Sequence, residues 1–83
     1  MAIVTMRYWA AAKEAAGVAE ETVTADTLAA ALGVVRGDRE RLNAVLARSS
    51  FIIDGHPVGT RAAGAVLLSD GAVIEVLPPF AGG

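Results

Sequence analysis

The sequence contains no cysteine and a single histidine, and only 5% of its 83 residues are aromatic. Without cysteine, disulfides, thiolate metal sites and a cysteine nucleophile are all excluded. His56 alone cannot form a histidine-based metal cluster and offers little basis for a catalytic triad, so we expect it in a surface turn. Although 54% of the residues are hydrophobic, few of these are aromatic. We therefore expect a core of Ile, Val and Leu with a few aromatic anchors.

Three further absences narrow the class of protein. The formal net charge is −2, and the arginines between residues 36 and 48 alternate with acidic residues, so no basic face for nucleic acid is predicted. No apolar run approaches the roughly 18 residues of a membrane span, and MAIVTMRYW lacks the pattern of a signal peptide. No GxGxxG or P-loop motif is present. We expect a cytoplasmic protein without nucleic-acid or membrane partners, and nothing indicates a catalytic centre.

The order of the predicted elements is two strands, helix, then strands, with a short helix between the first two strands. Strands are predicted at Ile3 to Trp9, Glu21 to Thr24, Ser49 to Asp54, His56 to Val58 and Ala72 to Pro78. Helices are predicted at Ala10 to Gly17 and after an N-cap at Asp26 or Thr27, the second one broken at Gly37-Asp38, where Asp38 can cap a continuation. Asp54-Gly55 and Asp70-Gly71 are turn signals.

The two terminal strands are rich in β-branched residues and suit the centre of a sheet. With edge hairpins around them and a helix over one face, this order predicts an α+β fold, a ubiquitin-like β-grasp with a mixed sheet of four to five strands. In the first strand, Val4, Met6 and Tyr8 are expected to share the core face. We expect one domain over residues 1–83, with residues 78–83 as an extended C-terminal tail.

The composition of the tail, LPPFAGG, indicates a functional segment rather than a frayed chain end. Pro78 and Pro79 hold the backbone extended and lack the N–H groups that would continue the sheet. Phe80 is an apolar anchor that is costly to leave in water, and it is followed by Ala81 and then by Gly82 and Gly83, which have no side chains and can enter a narrow channel. We therefore predict that the free α-carboxylate of Gly83 is the reactive group and that Pro78 to Gly82 contact a partner.

Two stretches carry a resemblance to a known family. WAAAKEAAG (Trp9 to Gly17) is similar to an F-A-x-x-R-E-x-x-G motif, with Trp9 in place of Phe and Lys13 in place of Arg. DGAVIEVLPPFAGG (Asp70 to Gly83) is similar to a D-G-D-x-V-x-x-x-P-P-V-x-G-G ending, with Phe80 in place of a smaller Val. On these motifs the chain resembles the MoaD/ThiS family of ubiquitin-like sulfur carriers, and most of all its molybdopterin synthase branch.

The resemblance implies a cycle in which other proteins perform the chemistry. An adenylating enzyme related to ubiquitin E1 uses ATP to adenylate Gly83, and a sulfur donor enzyme supplies the sulfur that replaces AMP and leaves a thiocarboxylate. The large subunit of molybdopterin synthase, with which the chain could form a heterotetramer, then accepts the sulfur for the molybdenum cofactor. No cofactor is expected to bind the chain itself, which would be a non-catalytic subunit and cosubstrate.

Other functions fit the same residues. The chain could carry sulfur for thiamine or cysteine biosynthesis, because only the accepting partner differs. It could be a protein modifier joined to lysines through Gly83. It could also be a β-grasp interaction module whose tail is inert, in which case deletion of Gly82 and Gly83 would leave function intact. The activating enzyme, the sulfur donor, the pathway and the docking residues on the sheet are not decided by the sequence.

Overall fold

The computed structural model describes residues 1–79, which form a five-stranded mixed sheet with helices on one face. The strands, named β1 to β5 in chain order, are Ile3–Tyr8, Glu20–Thr24, Ser50–Ile53, His56–Pro57 and Val73–Leu77. The helices, α1 to α3, are Ala10–Ala16, Leu28–Arg36 and Glu40–Leu46, and a 3-10 turn covers Ala63–Ala65. The strand order β2-β1-β5-β3-β4 confirms the predicted β-grasp with both terminal strands at its centre. No described helix has the length and hydropathy of a membrane span.

The core lies between the inner face of the sheet and the helices. Val4, Met6 and Tyr8 are buried, as their alternation predicts, and the strand β5 beside them contributes Ile74 and Val76. The helices bury the apolar side chains that recur at helical spacing, namely Leu28, Ala31, Leu32, Val35, Leu42 and Leu46. Among residues 1–79 the helices thus cover the inner face of the sheet.

The two Asp-Gly turns lie at the same end of the sheet. Asp54 and Gly55 both have positive φ, 49° and 83°, the combination that a two-residue hairpin turn requires. The Asp54 carboxylate accepts a hydrogen bond from the Val73 backbone N–H at 3.0 Å, and the Asp70 carboxylate accepts one from Ile3 at 2.8 Å. Both carboxylates are therefore occupied in fastening β5 and β1, as expected of turn residues.

The helix starts differ in part from the sequence prediction. Of the two candidate caps for α2, Thr27 is used: its hydroxyl accepts from the Ala30 backbone N–H at 3.1 Å, while Asp26 accepts from Ala2 instead. The break after α2 is confirmed at Gly37, but the prediction that Asp38 caps the continuation is wrong. The α3 helix begins at Glu40 after a tight turn in which the Asp38 carbonyl accepts from the Glu40 N–H at 3.1 Å.

One polar network joins the two sides of the core. The Tyr8 hydroxyl donates to Glu21 Oε2 at 2.6 Å, and Arg39 Nη2 donates to the same oxygen at 2.8 Å. Arg39 also donates to the carbonyls of Val35 and Ala16, at 3.1 and 3.2 Å. Burial raises the pKa of the Tyr8 phenol, and the neighbouring Glu21 raises it further, so the hydroxyl stays protonated as a donor. Arg39 thereby ties α1 and the α2–α3 junction to β2.

We expect Arg39→Ala to lower the free energy of unfolding by about 1–2 kcal/mol, because it removes one of the two donors to Glu21 and the Arg39 bonds to two backbone carbonyls. The low end of this range applies because the Arg39 and Glu21 side chains are about a third exposed to water. Urea unfolding should show a lower midpoint with an unchanged slope. Arg41→Ala, at an exposed position in α3, is the matched control and should change the midpoint little; equal effects of the two variants would contradict this role of Arg39.

Candidate functional site

The candidate site begins where the last strand ends, at a point we call the tail root (Leu77 to Pro79). β5 pairs in parallel with β1 and antiparallel with β3, and its last residue, Leu77, lies opposite Ser50. Pro78 is partly buried and Pro79 is exposed. Because proline has no N–H to donate to a neighbouring strand, the ladder stops at Leu77, one residue earlier than predicted. The tail root therefore leaves the sheet from its centre.

The other predicted site residues, Phe80, Ala81, Gly82 and Gly83, lie outside the described residues. Their predicted roles remain predictions. The length of this segment is nonetheless set by covalent geometry: four residues beyond Pro79 span at most about 14 Å. A protein that acts on Gly83 must therefore come within about 14 Å of the tail root.

A row of charges crosses the outer face of the sheet beside the tail root. Arg7 on β1 lies between Glu20 on β2 and Glu75 on β5 in the strand register. Its Nε is 3.2 Å from Glu20 Oε2, and the two form an ion pair. Among residues 1–79 Glu75 has no ion-pair partner. Its carboxylate is thus available to a cation from outside the chain.

Apolar side chains cover the other half of the same face. Ile52 on β3 lies between Glu75 and Pro57 in the register, and Leu77 follows two residues after Glu75 on the same side of β5. Ile52 and Leu77 are partly exposed and Pro57 is exposed. The outer face near the tail root is therefore amphipathic, charged towards β2 and apolar towards β4.

Trp9 stands next to the tail root, on the α1 side. Its backbone N–H donates to the Val76 carbonyl at 3.3 Å, and its indole Nε1 donates to Glu75 Oε1 at 3.3 Å. The side chain is still 46% exposed. The sequence placed Trp9 in a family motif, but it did not indicate the bond to Glu75, which is 66 residues away.

The chain turns sharply after Trp9 at a strained residue. Ala10 has φ of 48°, a left-handed conformation that costs an L-residue roughly 1–2 kcal/mol. The turn ends β1 at Tyr8 and begins α1, where the Trp9 carbonyl accepts from the Ala12 N–H at 2.9 Å. The strained backbone conformation therefore lies at Ala10, the residue at which the chain turns from Trp9 into α1.

Among residues 1–79 two open grooves lie near Trp9 and Leu77, and the second of them reaches the tail root at Leu77. The α1 groove, with a volume of about 720 Å³, lies between Trp9 and Val18. The β4 groove, of about 390 Å³, includes Leu77, Ile52 and Pro57. Neither groove contains a histidine, and His56 is exposed in β4. In residues 1–79 no three side chains of His, Cys, Asp or Glu are grouped so that they could hold a metal ion.

Comparison with known proteins gives one family. Residues 6–83 match the model of the ThiS family, a range that includes both the Trp9 turn and the tail. The comparison with curated proteins found no match. The family match therefore rests on nearly the whole chain and extends through Gly83.

Solved structures share the fold over nearly their full length. The small archaeal modifier protein 1 of Methanosarcina acetivorans superposes with a TM-score of 0.86 at 24% identity, covering 100% of this chain and 98% of that one. The small archaeal modifier protein 1 of H. volcanii gives 0.78 at 20% identity, covering 96% and 100%. These similarities show the ubiquitin-like β-grasp fold.

A third similar structure was solved together with a partner. It is the protein–protein complex of subunits 1 and 2 of the molybdopterin-converting factor from Helicobacter pylori. The matching chain has a TM-score of 0.71 and 26% identity, with coverage of 98% of this chain and 99% of that one. In that protein, a fold of this kind associates with a second, different subunit.

We expect Ala10→Gly to raise the free energy of unfolding by about 0.5–1 kcal/mol, because glycine adopts a φ of 48° without strain. Ala11→Gly, one residue further along in the first turn of α1, is the matched control and should lower it by up to about 0.5–1 kcal/mol, because glycine loses more backbone freedom on folding than alanine does. Urea unfolding measures both. Two changes of the same sign would show that the Ala10 backbone is not strained.

Proposed function

Because the chain belongs to the ThiS family of ubiquitin-like sulfur carriers, we propose that it carries sulfur as a thiocarboxylate on Gly83 and donates it to the large subunit of molybdopterin synthase. The observation that carries the proposal is the family match through residue 83. It is supported by the position of β5, which delivers the tail root from the centre of a packed sheet. In this proposal the folded domain positions the tail, and the tail of Pro78 to Gly83 is the segment on which the partner enzymes act.

The proposed chemistry uses the carboxylate alone. One oxygen of the Gly83 carboxylate attacks the α-phosphorus of ATP in the adenylating enzyme, and pyrophosphate leaves. This adenylation converts a poor leaving oxygen into a good one, so a hydrosulfide equivalent supplied by the donor enzyme attacks the acyl carbon, AMP leaves, and a thiocarboxylate remains on Gly83. The thiocarboxylate sulfur then forms its bond to the acceptor, water attacks the acyl carbon, the carbon–sulfur bond breaks, and the carboxylate returns. The chain contributes no base or metal; its glycines allow close approach of two different enzymes.

The partner is proposed from the solved relative and from the length of the tail. The H. pylori protein associates with subunit 2 of its converting factor, and we assign this chain a corresponding large subunit, with the option of a heterotetramer. Since four residues beyond Pro79 span at most about 14 Å, that subunit must come this close to the tail root, and we expect it to contact the domain there. The apolar half of the outer face, with Ile52, Pro57 and Leu77, is suited to such a contact.

A second candidate is a protein modifier. It is favoured by the two similar structures of small archaeal modifier proteins, one of them with a TM-score of 0.86. The chemistry would be the same up to the adenylate, after which a lysine amine of a target replaces sulfur as the nucleophile. A carrier for thiamine or cysteine biosynthesis differs from the main proposal only in the protein that accepts the sulfur.

We expect the untagged chain, produced with its adenylating enzyme, ATP and a sulfur donor, to gain one alkyl group when a thiol reagent is added. The chain has no cysteine, so a thiocarboxylate is the only group that should react readily. Fragment mass spectra should place the label on Gly83. The localisation is required because oxidation of Met1 or Met6 changes the mass by nearly the same amount as exchange of oxygen for sulfur.

The control is the chain shortened by Gly82 and Gly83, which should fold as before and take no label. Absence of label on the full chain, with its native adenylating enzyme shown to consume ATP, would reject the sulfur carrier. Recovery of Gly83 joined to lysines of other proteins would instead establish the modifier. Label without sulfur transfer to the large subunit would leave the thiamine or cysteine pathway as the destination.

A further inference from the structure

We propose that the exposed face of the α2 helix is a docking surface for a second copy of this chain, with which it forms a two-fold symmetric dimer. This α2 face consists of Ala29, Ala30, Gly33 and Val34, with Leu67 beside the first turn of the helix. The inference goes beyond the proposed function and does not depend on it, because none of these residues belongs to the tail or to the tail root. Its evidence is the absence of charge on the face, the glycine at its centre and the charges at the two ends of the helix.

The α2 face belongs to two stretches of the chain that lie side by side and carry no charge. No charged residue occurs at positions 27–35 or 62–69, although 19% of the chain is charged. A bridge between Thr27 and Leu67 joins the two stretches. Leu67 is 80% exposed and Val34 is 56% exposed. An exposed surface without charge that carries large apolar side chains is typical of a protein contact.

Gly33 lies in the interior of α2, where no contact within residues 1–79 requires a glycine. Its φ is not positive, and a Cβ added at this position would meet no atom within 4 Å. Glycine weakens a helix interior relative to alanine, and the described residues show no gain that offsets this cost. The distance between two packed helix axes depends on the size of the side chains at their contact. Gly33 therefore suits the close approach of a helix from outside the chain.

The two ends of α2 carry opposite charges that a second copy would match. Arg36, in the last turn, is exposed and has no ion-pair partner among residues 1–79. The Asp26 side chain, before the N-cap, is 69% exposed, and its contacts with the Ala2 N–H and the Met1 amine both use Oδ1. Two α2 helices packed antiparallel about a two-fold axis bring each Arg36 towards Asp26 of the other copy. The same charge pair then occurs twice, as an isologous interface requires.

The middle of this arrangement is formed by the smallest side chains of the α2 face. Ala30 and Gly33 lie near the centre of the span from Asp26 to Arg36, which is where the two antiparallel helices cross. They allow the helix axes to approach closely, and Val34, on the same exposed side of the helix, is then covered by the other copy. Register of the charges and register of the small side chains thus agree on one geometry.

A second copy is chosen as the occupant because the α2 face and its flanking charges are complementary to themselves. The residues from Leu77 to Pro79 lie outside the α2 face, so the contact does not use the tail of either copy. A stable interface involves about 20–30 residues on each side, which is more than the α2 face supplies. We therefore expect a reversible dimer that forms between micromolar and millimolar concentrations.

The experiment is sedimentation of the full-length, untagged chain over a series of concentrations from micromolar to millimolar. We expect the average mass to rise from that of a monomer towards that of a dimer. Val34→Lys and Leu67→Lys should each raise the dissociation constant of the dimer by about tenfold or more, because each places a charge in an apolar contact. Val18→Lys is the matched control, because Val18 is an exposed apolar residue outside the α2 face, and it should dimerise as the parent does.

Two further variants test the charges and the glycine. Arg36→Glu should weaken the dimer because it places a carboxylate opposite Asp26, whereas Arg48→Glu changes the net charge equally at an exposed position outside α2 and should not. Gly33→Ala should raise the urea midpoint of the dilute monomer, because alanine favours the helix, and should nevertheless weaken the dimer. Urea unfolding verifies that each variant is folded. If a lysine variant is unfolded, the comparison of Arg36→Glu with Arg48→Glu decides.

A parent chain that stays monomeric at millimolar concentration would overturn the inference and leave the proposed function intact. A dimer that the folded α2 variants retain would also overturn it, because the contact would then lie elsewhere. If the parent stays monomeric and Val34→Lys instead weakens binding of the large subunit, the inference is overturned in favour of that subunit. Absence of the label on Gly83 in a chain that dimerises through α2 would reject the proposed function alone.

Discussion

The parallel pairing of β1 with β5 is the contact on which the rest of the structure depends. It joins the first and last strands of the described chain at the centre of the sheet, with Met6 beside Ile74 and Tyr8 beside Val76 in the buried face. Parallel neighbours cannot be linked by a short turn and require a long crossover. Here the crossover contains β2, all three helices and the β3–β4 hairpin, so most of the domain lies between the two paired strands in the sequence.

The same pairing decides where the functional surface lies. Two parallel strands end at the same edge of the sheet, so the residue that follows β1 and the segment that follows β5 are neighbours. Trp9 and the tail root are brought together in this way, although they are far apart in sequence. The Asp-Gly turns, with Asp54 and Asp70 bonded to β5 and β1, lie at the opposite edge. One end of the sheet is thus closed by turns, and the other is open to a partner.

The polar side chains of the described domain are arranged differently on the two faces of the sheet. Inside the described domain, the Tyr8–Glu21–Arg39 network satisfies its own donors and acceptors and stabilises the packing of α1 and α3 against the sheet. On the outer face, the Glu75 carboxylate accepts a hydrogen bond from the indole N–H of Trp9. The proposed function needs a stable folded body, and the Tyr8–Glu21–Arg39 network contributes to it.

Local patterns in the sequence determined most of the elements. Alternation in Ile3 to Tyr8, the helix signals, the break at Gly37 and the Asp-Gly turns act over a few residues, and each was predicted close to its observed place. The absence of cysteine is also a property of the sequence alone. The Pro-Pro and Gly-Gly pairs are local as well, and they indicate Gly83 as the candidate residue without reference to the fold. The choice between Asp26 and Thr27 as a cap, and the absence of a cap at Asp38, depended on neighbours that only the folded chain supplies. The bond between Trp9 and Glu75 and the bonds of Arg39 to Ala16 and Glu21 join residues that no local pattern relates, because strand register and helix packing bring them together. They belong to the tertiary structure.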